Sequence, residues 1–126
     1  MKNLKTVFLL LLFFAFYTSN AQVAEQQKKK LPTDPKTNCK LRYYYFPNLE
    51  AYFDTLENVY YYQANGDWNT VEELPENYGG YSLYKNVRVM LTDFDGDNPY
   101  QFIKKHKKTY PYSSNGKIKK ITACND

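Results

Sequence analysis

Between Tyr43 and Tyr84 stand thirteen aromatic residues in a stretch of 42: ten Tyr, two Phe and Trp68. A folded chain has to find cover for most of that ring area, and aromatic side chains favour the pleated surface of a sheet. The rings also recur at a fixed step. Tyr44, Tyr52, Tyr60 and Trp68 lie eight residues apart, each at or near the middle of a short aromatic or β-branched segment. Short strands at this spacing, with turn residues between them, predict an antiparallel meander. Pro47-Asn48 interrupts the first pair and Asp54 to Asn58 closes the second. Asn65-Gly66 is the two-residue signal for a type I′ hairpin, because both central residues of that turn need a positive φ.

Alternate residues of a strand face opposite sides of the sheet, so Tyr43-Tyr44-Tyr45-Phe46 and Tyr60-Tyr61-Tyr62 place rings on both faces. One face must cover the core. The other presents tyrosines whose rings pair across strands and whose hydroxyls reach water. Tyr44, Tyr52, Tyr60, Tyr61, Tyr62 and Trp68 are therefore the candidate binding residues. After Leu74-Pro75 the chain turns through Asn77-Tyr78-Gly79-Gly80, and Val87-Arg88-Val89-Met90-Leu91 reads as a further strand. Asn98 as N-cap and Pro99 as first helical residue predict a helix over Pro99 to Lys108, with Asp95 and Asp97 at the positive end of its dipole. Phe102, Ile103 and His106 form its inward stripe, and Lys104, Lys105, Lys107 and Lys108 face mostly outward. A last strand is expected over Lys117 to Ala123. The expected fold is mainly β, of the α+β kind: an antiparallel meander of short aromatic strands with one C-terminal helix, in a single small domain.

The amino terminus carries an address. Lys2 and Lys5 precede an apolar run of eleven residues, Val7 to Tyr17, and Ser19-Asn20-Ala21 puts small residues at the −3 and −1 positions of a cleavage site. The run falls well short of the roughly 20 apolar residues that a membrane-spanning helix needs. Residues 1–21 therefore read as a secretory signal, leaving a soluble protein in the periplasm or outside the cell. Residues 22–38, rich in Gln, Lys, Pro and Thr, have too little apolar material for a core and read as a disordered polar leader. The folded domain is expected over 39–126. The two cysteines, Cys39 and Cys124, lie near its ends, and in an oxidising compartment they read as one disulfide. Closing a loop of 84 intervening residues contributes about 4 kcal/mol in the chain-entropy model. The rival roles need neighbours: a reactive thiol requires a cation or base, and zinc requires more Cys or His than the chain offers.

Net charge is +4, and without Lys2 and Lys5 it becomes 15 − 13 = +2, too little for a global basic field. The charge is instead segregated. Tyr43 to Tyr84 carries seven acids and no Lys or Arg, whereas Asn98 to Asn125 carries seven lysines and no acid. Either the basic helix packs near the acidic meander and each neutralises the other, or the domain shows two faces of opposite sign to two partners. Lysines beside tyrosines are a weak nucleic-acid signal that export argues against. Contact of the Lys104 to Lys108 helix with an anionic membrane surface is a further option.

Catalytic and metal signals are weak. Asp93, Asp95 and Asp97 alternate like the opening of a calcium loop, but Asn98 and Lys104 stand where an EF-hand needs Gly and a bidentate Glu. A looser calcium site is left open, and helix capping accounts for the same acids. His106 has no nucleophile placed near it in sequence, none of the four serines sits in G-x-S-x-G, and Asp54 with Glu57 predicts no glycosidase geometry. No cofactor motif is present.

Tyr43 to Pro47 (Y-Y-Y-F-P), Ala51 to Asp54 (A-Y-F-D), Val59 to Tyr62 (V-Y-Y-Y), Asn65 to Trp68 (N-G-D-W), Leu74-Pro75 and Asp95 to Tyr100 together resemble an uncharacterised family of small exported, tyrosine-rich bacterial proteins. The resemblance covers most of Tyr43 to Tyr100 and implies no activity, ligand or catalytic residue. In composition alone, the aromatic hairpins resemble small tyrosine-rich modules that grip proline-rich peptides. The expected function is non-enzymatic: an exported envelope protein that binds a protein partner through its exposed tyrosine face. The alternative is a glycan or cell-wall binder that stacks sugars on the same rings, and a small hydrolase is the weakest option. Three geometries separate them: a flat aromatic face, a groove with carboxylates or amides beside Trp68, or a deep pocket with a convergent acid pair.

Overall fold

The computed structural model describes residues 28–122. The signal segment at 1–21 and the cysteine Cys124 lie outside them. The chain folds into one five-stranded antiparallel sheet of order β4-β3-β2-β1-β5. Its strands are β1 (Tyr43–Phe46), β2 (Ala51–Asp54), β3 (Val59–Ala64), β4 (Asp67–Val71) and β5 (Val89–Met90). A 3-10 turn over Pro99–Phe102 runs directly into one short helix, α1 (Ile103–Thr109). The expected mainly β, α+β architecture is the one present.

The turns follow local chemistry. Asn65 (φ 54°) and Gly66 (φ 85°) are both left-handed, as a type I′ hairpin demands, and Ala64 pairs with Asp67 across them. Glu50 (φ 50°) and Asn58 (φ 56°) occupy the same region at the ends of the first two turns. The register then fixes the faces. Tyr45 pairs with Tyr52 and Val89, Tyr52 with Tyr61, and Gln63 with Trp68. Tyr43, Tyr45, Tyr52, Tyr61 and Trp68 therefore share one face, and Tyr44, Phe46, Phe53, Tyr60 and Tyr62 share the other.

Helix α1 covers the first face. Tyr43, Tyr45, Tyr52, Leu91 and Tyr110 form its buried centre, with Phe94, Tyr100 and Ile103 packed on it. The second face has no helix. Phe46, Leu49 and Ala51 are buried there, and the irregular segment 72–88 lays Leu74 and Tyr78 over half-buried Tyr44, Phe53, Tyr60 and Tyr62.

Three sequence expectations change. Asn98 is left-handed and makes no side-chain cap, because Asp95 and Asp97 are drawn away to Lys40 and Arg42 and the loop arrives in a different conformation. Residues 117–122 form no strand; the Ile121 N–H bonds the Thr109 carbonyl at the end of α1 and the Lys117 carbonyl accepts from Ser113, so the segment follows the helix instead of the sheet. The end of the leader is folded, since Thr33 bridges Lys40, the Leu41 N–H bonds the Pro32 carbonyl, and Thr37 Oγ1 donates to the Thr92 carbonyl. Asp34 nucleates that small hairpin by accepting from the N–H groups of Lys36 and Thr37.

The hairpin makes a direct prediction. Gly66 has open space around its Cα, so Gly66→Val acts through backbone strain alone and should destabilise by about 1–2 kcal/mol in chemical denaturation. An unchanged midpoint would mean that the turn tolerates a β-branched residue at positive φ.

Candidate binding face

The six candidate residues do not form one surface. Tyr52, Tyr61 and Trp68 lie under the helix, whereas Tyr44, Tyr60 and Tyr62 lie on the opposite face. Tyr52 is wholly buried. Trp68 stacks on Tyr100 at 4.8 Å between ring centroids and 12° between planes, so one face of the indole is already occupied. Tyr61 packs against Tyr43 and Tyr100. These three are core and closing residues of the helix-covered face, a split that follows from the register and from where the helix lands.

The remaining three belong to a continuous aromatic cluster. Tyr60 packs on Phe53 at 4.7 Å and on Phe46 at 6.1 Å. Tyr62 meets Tyr78 edge-on at 5.0 Å, and the Tyr78 hydroxyl anchors the covering segment by donating to the Leu49 carbonyl. Arg88 lies over the Tyr44 ring at 4.5 Å, a cation–π contact that holds an exposed charge over an aromatic ring. Between the sheet and the segment runs a shallow groove of about 290 Å³ beside Tyr60, Leu74 and Tyr78, with Glu73, Glu76 and Lys85 at its rim. The same segment projects Tyr81 and Leu83 into solvent, at 103% and 90% exposure. Sequence reasoning missed these two. Their signal was two large apolar residues just beyond Gly79-Gly80, in a stretch without strand alternation.

Most polar groups on the helix-covered side are engaged structurally, the buried Tyr45 hydroxyl and His106 Nε2 being without a hydrogen-bond partner among the described residues. Arg42 and Asp54 form a buried pair, with Nη2 at 2.8 Å and Nε at 3.1 Å from the carboxylate, and Asp54 raises the guanidinium further above its ordinary value. Arg42 Nη1 also donates to Asp97 at 3.0 Å, and the Lys40 N–H donates to Asp95. Asp93 instead pairs with Lys105 at 2.6 Å. The three alternating aspartates thus point at three separate partners, and among the described residues no group of three or more His, Cys, Asp or Glu is placed to hold a metal ion. His106 is buried, its Nδ1 lies 2.7 Å from the Tyr52 hydroxyl, and its Nε2 lies 3.7 Å from Asp93. His106 and Lys105 together hold the Asp93 carboxyl well below the usual carboxylate range. The Lys105 ammonium makes the direct contact with that carboxylate.

One ion pair, Lys107 to Glu50 at 3.0 Å, joins the basic helix to the acidic meander among the described residues. Cys39 is half-buried and has no disulfide partner among them.

Burial raises the ionisation of Tyr43, Tyr45 and Tyr52 above the ordinary tyrosine value, and raises that of Tyr61, Tyr78 and Tyr110 as well. A folded value above the unfolded one means that this contribution to stability is fully present below about pH 10 and lost as pH rises through the folded values. Tyrosinate absorbance should therefore show a late class that ionises together with loss of the far-ultraviolet signal. A single class near the ordinary value with the fold intact would contradict the burial of these rings.

Comparison of the chain with protein-family models, with curated proteins and with solved structures finds no match.

Proposed function

We propose that this protein is an exported, non-enzymatic binding module that contacts a protein partner through the loop-covered sheet face. The observation that carries this reading is the asymmetry of the sheet. One face carries α1 over fully buried Tyr43, Tyr45 and Tyr52, with Tyr61 and Trp68 half-buried at its margin, whereas the other has no helix and keeps Tyr44, Phe53, Tyr60 and Tyr62 half-buried under a segment that projects Tyr81 and Leu83 into solvent. Tyr offers large contact area at low entropic cost and is enriched where protein interfaces are buried. Fully exposed Tyr81 and Leu83 have the character of anchors awaiting a pocket. The groove beside Tyr60 is shallow, with Tyr60, Tyr78, Leu49 and Leu74 along it and charged Glu73, Glu76 and Lys85 at its rim, which fits a protein surface better than an enclosed small ligand. The stacking of Trp68 on Tyr100 weighs against the glycan alternative, in which that indole would carry a sugar. Export through residues 1–21 and kinship with the tyrosine-rich exported family belong to the same proposal.

The test compares capture of partners from envelope fractions by the wild-type protein with capture by Tyr60→Ser/Tyr62→Ser and by Tyr81→Ser/Leu83→Ser. Both variants are expected to keep the wild-type circular dichroism spectrum and to lose the captured species. Capture unchanged in both would remove the reading.

The proposal includes the Cys39–Cys124 disulfide. Thr37, two residues before Cys39, bonds Thr92, and Thr92 shares a cleft with Thr122, two residues before Cys124. The two chain segments therefore approach the same part of the molecule. Oxidised protein should carry no titratable thiol in denaturant, and Cys39→Ser should cost roughly 2–5 kcal/mol. Two free thiols in protein recovered from the envelope would exclude the bridge.

A further inference from the structure

On the side away from the loop-covered face, the end of α1 and the segment after it enclose a cleft of about 720 Å³. This lies within the volume range of sites that take small organic ligands. Its walls are Thr92, Thr109, Tyr110, Ile121 and Thr122, together with the side chains of Lys104, Lys105, Lys108 and Lys120. Lysine presents a four-carbon apolar stem to such a wall and keeps its ammonium at the water edge. The one acid in the lining, Asp93, is neutralised by Lys105 at 2.6 Å. Lys104, Lys108 and Lys120 make no ion pair among the described residues. Ile121, next to them, is 45% exposed.

An apolar cleft lined by three lysines that pair with no acid among the described residues has a definite complement: an apolar chain that ends in one anionic group. A compact polyanion would use the lysines but leave Ile121 uncovered. A neutral lipid would fill the apolar wall but leave the charges unanswered. We propose that this cleft binds a long-chain carboxylate, with the acyl chain against Ile121, Tyr110 and the lysine stems and the carboxylate among Lys104, Lys108 and Lys120. The site is separate from the aromatic face, and each can stand without the other. It also gives the segregated lysines a use that the single Lys107–Glu50 pair does not.

The experiment is a fluorescence titration of the purified protein with dansylaminoundecanoic acid, beside its uncharged methyl ester and beside inorganic polyphosphate as competitor. Saturable binding of the acid is expected, weakened about tenfold or more for the ester, which corresponds to loss of at least about 1.4 kcal/mol. Lys104→Gln/Lys108→Gln should weaken the acid and leave the ester unchanged, whereas Ile121→Asp should weaken both. These side chains are exposed, so the variants should keep the wild-type melting temperature, and Lys104→Arg/Lys108→Arg should retain acid binding. Equal affinity for acid and ester, displacement of the ester by polyphosphate as readily as of the acid, or binding unchanged by both the Gln pair and Ile121→Asp would each overturn the proposal. So would association confined to phosphatidylglycerol vesicles with no binding of the free probe, which would point to a membrane surface in place of a cleft.

Discussion

The rest of the structure depends on one buried guanidinium. Arg42 stands just before β1 and reaches Asp54 at the end of β2, so the ends of these two neighbouring strands are tied by charge-assisted hydrogen bonds at 2.8 and 3.1 Å. The same carboxylate accepts the Leu56 N–H at 2.8 Å and thereby shapes the turn into β3. The third guanidinium nitrogen extends to Asp97, and the Tyr43 hydroxyl beside it donates to the Gly96 carbonyl at 2.8 Å. The 95–97 loop is thus hung on the sheet immediately before Pro99, and this sets where α1 can land. Removing one partner would strand a charge away from water, a far larger loss than the net value of the pair.

From that anchoring follows the asymmetry of the sheet. Because the helix is fixed over Tyr45 and Tyr52, it covers the centre of one face, with the Tyr52–His106 hydrogen bond beneath it and half-buried Tyr61 and Trp68 at its margin. The other face is left to a segment without regular structure, held by contacts such as Tyr78 to Leu49 and Asn48 to the Tyr84 carbonyl. Such a segment covers the central residues Phe46 and Ala51 but not the rings around them. The aromatic excess of the sequence is therefore divided. Half of it is core, and half stays near the surface where contact with a partner can use it.

Much of this was legible from residue types and spacing. Asn65-Gly66 specifies its turn because so few residue pairs accept two positive φ values, and the eight-residue aromatic step reports strand length plus turn length directly. Pro99 marked the start of helical structure, although that structure opens as a 3-10 turn. The faces of Tyr52 and Trp68 were not legible, since alternation says only that neighbours oppose each other and register decides which side the helix takes. Asp95 and Asp97 misled for a related reason. Near a helix start they look like caps, yet the Lys40 N–H takes Asp95 and the Arg42 guanidinium takes Asp97, both more than fifty residues earlier in the chain, and sequence separation hides those partners. The Lys117 to Thr122 segment has strand-like composition, but its backbone groups are taken by Thr109 and Ser113 before a sheet edge can claim them.

The central claim is that the sheet buries Tyr43, Tyr45 and Tyr52 on its helix-covered face and leaves Tyr60 and Tyr62 accessible on its loop-covered face, and site-resolved tyrosine nitration tests it most directly. Native protein treated with tetranitromethane and mapped by mass spectrometry should be modified at Tyr60 and Tyr62, with fully exposed Tyr81 as the internal standard, while Tyr43, Tyr45 and Tyr52 react only after unfolding. Modification of Tyr52 in the native state at the rate of Tyr60 would contradict the assignment of faces and the account built on it.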